Sequence, residues 1–87
     1  MRVGYTLLLL RVKNNLTRKQ VAYKLNVSND LIRDWEEDTI MPTKKELKMI
    51  SALYNVTTRQ ILSGEIAYTQ YIDLRIFSQL REPVILH

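Results

Sequence analysis

Apolar residues recur at three- and four-residue intervals along most of this chain, the spacing that lines one face of a helix. The first run predicts a helix over Tyr5–Asn14, with Leu7, Leu10 and Arg11 on one side and Asn14-Asn15 closing it. Thr17 opens a second helix. Gln20, three residues on, can reach back to the Thr17 amide in a capping box, and Val21, Ala22 and Leu25 form the apolar stripe. Asn26 tolerates a left-handed turn, and Ser28 then caps a third helix whose buried face is Leu31, Ile32 and Trp35. Met41-Pro42 breaks the chain. Thr43 with Glu46 opens a fourth helix carrying Leu47, Ile50, Leu53 and Tyr54; Thr57 with Gln60 opens a fifth, which holds Ile61 and Leu62 and closes at Gly64. Five short helices joined by short loops predict an all-α domain over residues 1–64.

Two stretches fit that pattern less simply. Successive residues of a helix point about 100° apart, so the four leucines of Leu7–Leu10 surround the axis, and one core face cannot bury them all. Residues 65–87 form a separate segment. Tyr68, Tyr71, Ile72, Ile76 and Leu80 fit a helix, whereas Ile72, Leu74 and Ile76 alternate as a strand would. The longer set predicts a helix to about Leu80, stopped by Pro83, with Val84-Ile85-Leu86 as a short extended tail.

Composition narrows the chemistry. The chain has no cysteine, and its only histidine is His87, so disulfides, thiolate nucleophiles and a metal site built from nitrogen and sulfur ligands are not expected. Arg11, Lys13 and two asparagines follow the first leucines at once, which argues against a signal peptide, and the run is too short to cross a bilayer. The expected setting is the cytoplasm, without a membrane. No catalytic constellation and no phosphate-cradling glycine loop is present, so neither an enzyme nor a cofactor is predicted. The net charge of +4 is unevenly spread: seven Arg or Lys stand against the single acid Asp30 up to Arg33, and then Asp34, Glu36, Glu37 and Asp38 arrive almost together. A basic first third points to nucleic acid or another anion.

The stretch LTRKQVAYKLNVSNDLIRDWE, Leu16 to Glu36, places two short helices across a tight turn. Ala22 is small where they cross, and Val21, Leu25, Val27, Ile32 and Trp35 are apolar where both face inward, the arrangement of a helix-turn-helix. The ordered set Leu16-Thr17, Ala22, Leu25, Val27-Ser28, Ile32, Trp35-Glu36 and Pro42-Thr43, then Asn55-Val56-Thr57 and Ile61-Leu62, resembles the phage repressor–Cro family, also called XRE-like. The resemblance runs over roughly Leu7 to Leu62. It implies that the second helix of the motif lies in the DNA major groove, with Asn29, Asp30, Leu31, Arg33 and Asp34 towards the bases behind the cap Ser28. It also implies that Arg18, beside Lys19, sits over a phosphate, where a helix N-terminus already favours an anion. Arg11 matches the family's first-helix arginine, which pairs with the glutamate at Glu36 as a structural ion pair.

The same resemblance sorts the leucines. Leu7 and Leu10 fall at core positions, whereas Leu8 and Leu9, with Tyr5 and Val12, lie where related sequences carry charge. That second stripe exceeds what a five-helix core needs, and Tyr68, Ile72, Ile76 and Leu80 are its expected cover, from the same chain or from a second subunit in a homodimer. Other positions depart from the family pattern: Asn26 replaces the turn glycine, Asp30 and Asp34 take base-facing slots, and Glu37-Asp38 stand where a basic or glycine residue often nears the backbone. Two functions follow. One is a sequence-specific, dimeric regulator of the repressor or Cro type bound to double-stranded DNA. The other is a protein-binding regulator that keeps the fold, such as an antirepressor, using those acids against a partner's basic surface.

Overall fold

The structure is a computed structural model and describes residues 3–64. The expectations for Tyr68, Tyr71, Ile72, Ile76, Leu80 and the extended tail lie outside the described residues. Within them there are five helices and no strand: α1 (Val3–Lys13), α2 (Arg18–Leu25), α3 (Asn29–Glu36), α4 (Lys44–Tyr54) and α5 (Thr58–Ser63).

Local chemistry starts and stops most of them. Thr17, Thr43 and Thr57 each accept a bond from the amide three residues on, and the Gln20, Glu46 and Gln60 side chains each accept one from the threonine amide, giving three complete capping boxes. Ser28 caps α3 by accepting from the Leu31 amide at 3.1 Å. Asn26, Asn55 and Gly64 end α2, α4 and α5 in the left-handed region, with φ of 58°, 56° and 75°.

α1 departs from its expected bounds. It is already helical at Val3, ahead of the expected Tyr5, and it ends at Lys13 rather than Asn14. A tertiary contact ties this end of α1: the Gly4 amide donates to Asp38 Oδ1 at 3.0 Å. Gly4 is also where α1 runs against the end of α3. A Cβ built there would collide with the Glu36 carbonyl and lie 2.7 Å from that of Trp35.

The main core joins Val3, Leu7 and Leu10 of α1 to Val21, Ala22 and Leu25, to Ile32 and Trp35, and to Leu47, Ile50 and Ile61. α1 packs against α3 and α5, α2 against α3, and α4 against α5. Leu31, Leu53 and Tyr54 are only half-buried against this core, and on six-residue α5 Ile61 turns inward while Leu62 is exposed. Leu9 and Val12 form a second apolar cluster on another side of α1, joined by the half-buried Tyr5 and Leu8. Leu9 is 0% exposed and Val12 6%, so α1 is buried on more than one face. Such burial is worth about 1.5–3 kcal/mol per leucine, so the second stripe belongs to the fold's stability and is not idle surface.

Candidate nucleic-acid interface

The α2–α3 pair is fixed to α1 by one buried carboxylate. Arg11 Nε donates to Glu36 Oε2 at 2.6 Å and Arg11 Nη2 to Oε1 at 3.1 Å, a bidentate pair, while Arg11 Nη1 reaches the Leu16 carbonyl at 3.0 Å. Arg18 Nε donates to the same Oε1 at 3.0 Å. The Glu36 side chain is 3% exposed, Arg11 8% and Arg18 22%. Two guanidinium groups against one carboxylate leave a net positive charge at the start of α2. Arg18 is thus held by Glu36 while its outer edge remains at the surface beside the exposed Lys19.

Tyr54 lies in the field of the same cluster. Its phenol is pushed well above the ordinary tyrosine range, first by burial, then by the Glu36 carboxylate, with Arg11 opposing.

α3 turns Ile32 and Trp35 into the core and leaves its other side outward. Asn29, Asp30 and Arg33 are exposed; Leu31 and Asp34 are half-buried. Ser28 is also exposed, with its hydroxyl oxygen committed to the cap. Arg33 sits between two acids: Nη1 donates to Asp30 Oδ1 at 3.4 Å and Nη2 to Asp34 Oδ1 at 3.3 Å. Asn29, Asp30, Arg33 and Asp34 therefore share one outward strip, with Arg18 and Lys19 at the neighbouring helix start and exposed Lys44 opening α4.

The acids do not all act on that strip. Asp38, expected on the DNA side, accepts from the Gly4 amide of α1 through Oδ1 instead, and its backbone has a left-handed φ of 60°. Neither Asp38 nor Gly4 stood out in the sequence as a contact, because the partners are 34 residues apart. Glu37 is exposed at the end of α3, where its amide bonds the Arg33 carbonyl at 2.9 Å. Among the described residues no cluster of His, Cys, Asp and Glu could hold a metal ion, and no helix is long and apolar enough to cross a membrane.

The family profile described as Helix-turn-helix matches residues 7–61, from Leu7 through α2 and α3 to Ile61. The chain belongs to the XRE-like helix-turn-helix family. The HTH-type transcriptional activator BcrR of Enterococcus faecalis is 43% identical over 56 residues, 64% of this chain and 28% of that protein. The HTH-type transcriptional regulator ImmR of Bacillus subtilis (strain 168) is 37% identical over 65 residues, 75% of this chain and 51% of that protein. The chain thus spans about half the length of one relative and little more than a quarter of the other. No solved structure matches it at comparable significance. Both relatives named here are transcriptional regulators by name, and this helix-turn-helix family is a class of regulators.

Proposed function

We propose that this chain is a sequence-specific, DNA-binding transcriptional regulator of the repressor–Cro type that works in the cytoplasm as a homodimer. The observation that carries the reading is the outward strip of α3: Asn29 and Arg33, next to the cationic start of α2, stand on a helix whose inner side is locked in the core. An exposed helix of this kind fits the major groove, where side chains from its first turns meet base edges. Arg18, Lys19 and Lys44 supply phosphate contacts, and the guanidinium of Arg18 is oriented for that role by Glu36. A single domain of this size binds DNA weakly alone, and symmetric half-sites call for a dimer. Residues 65–87 are the proposed packing and dimerisation segment; on α1 the half-buried Tyr5 and Leu8, at the edge of the second cluster, are the proposed points of contact, since Leu9 and Val12 are already buried within one chain.

The alternative, an antirepressor that presents acids to a partner protein, has less support: Asp38 is engaged with α1 and Asp34 with Arg33. The test is a competition titration of the full chain against its own upstream duplex and a random duplex, with molecular mass followed by light scattering. Preferential binding of the upstream duplex by a dimer supports the reading. Equal or absent binding to both, together with a stable complex with another protein, overturns it in favour of the alternative.

A further inference from the structure

Arg33 is exposed and yet held, here by acids of its own helix. An arginine free at a helix surface samples many rotamers, and ordering it on binding has an entropic cost. Here two terminal nitrogens of one guanidinium are tied to two different carboxylates, Asp30 on one side and Asp34 on the other. Both acids belong to α3, at one and three positions from Arg33, so the bracket moves with the recognition helix as a unit. A guanidinium carries five N–H donors, and two are used. The second N–H on each terminal nitrogen and the one on Nε stay available for an acceptor pair.

We propose that Asp30 and Asp34 are positioning residues that hold Arg33 to read one guanine in the major groove. The inference rests on the DNA-binding reading above. The guanine edge offers two acceptors, O6 and N7, spaced for a planar fork, and no other base edge offers two acceptors in that groove. Holding the fork in its plane favours this bidentate geometry over a loose contact with a phosphate. The acids repel the phosphate backbone of every duplex alike, so a duplex that lacks the guanine is bound against that repulsion without the Arg33 contact that offsets it. They thus exchange affinity for discrimination. An aspartate tied to Arg33 is in addition less free to accept a bond from cytosine on its own account.

The experiment is a selection from a pool of duplexes with a randomised core, using the full chain and the variants Arg33→Ala and Asp30→Asn/Asp34→Asn. Helical content of each variant is checked first; all three positions lie outside the core, so folding is retained. The full chain should select a half-site containing one fixed guanine. Arg33→Ala should lose preference at that position alone, by roughly ten- to a hundredfold. The double variant should lose part of the same preference while binding the unselected pool more tightly. Undiminished guanine preference in the double variant overturns the inference and leaves DNA binding intact, as does a loss confined to a different base pair. A full chain that enriches no sequence overturns the DNA-binding reading and the inference with it.

Discussion

At Gly4 the backbone of α1 runs so close to the Trp35 and Glu36 carbonyls that only a hydrogen fits in place of a side chain. Gly4→Ala should therefore push α1 off the end of α3. A loss of about 1–3 kcal/mol is expected, read as a lower denaturant midpoint. Glu36 is the second sensitive residue. Glu36→Ala leaves the Arg11 and Arg18 guanidiniums facing each other without their carboxylate, and about 3–5 kcal/mol should be lost in the same measurement. Tyr54 makes a pH-dependent prediction. Its phenol titrates near the ordinary value of 10.0 when unfolded and higher when folded. The stability linked to it is therefore complete below that value and declines as pH rises above it. Thermal melts at rising alkaline pH should show this decline, and Tyr54→Phe should flatten it.

Among the helices, the readable signals were the short-range ones. Thr17, Thr43 and Thr57 each stand three residues before Gln or Glu, and a contact of that span is visible in any linear reading. Removing one cap, as in Thr17→Ala or Thr43→Ala, should cost about 1 kcal/mol each. The effects should add in the double variant, because the caps open different helices. The tie between Gly4 and Asp38 is not visible in a linear reading, because its partners lie 34 residues apart. On α5, periodicity allows either Ile61 or Leu62 to face inward, and the packing of α5 on α1 and α4 decides for Ile61. On α3, the helical stripe identified the outward strip, but residue types alone showed Asp30 and Asp34 as a liability. Their geometry around Arg33 shows paired charges instead.

Across the described residues, the all-α fold and the helix-turn-helix were legible because several independent signals agreed in order: caps, turn residue, small crossing residue and apolar stripes. The use of the molecule depends on which surface meets a partner. α1 is covered on two sides, α2 and α3 expose a cationic start and a polar strip, and the exposed Ile40 and Met41 lie between α3 and α4. A DNA complex formed by that strip should weaken steeply with salt, at nearly one logarithmic unit of affinity per tenfold salt for each phosphate neutralised. The central claim is that the face carrying Arg18, Lys19 and the outward side of α3 is the one that meets DNA. Amide chemical-shift mapping of the full chain, titrated with its upstream duplex, tests it most directly. The largest changes should fall on Arg18 to Gln20, Ser28 to Asp34 and Lys44. Changes centred on α5, or none at duplex concentrations that saturate binding, would contradict it.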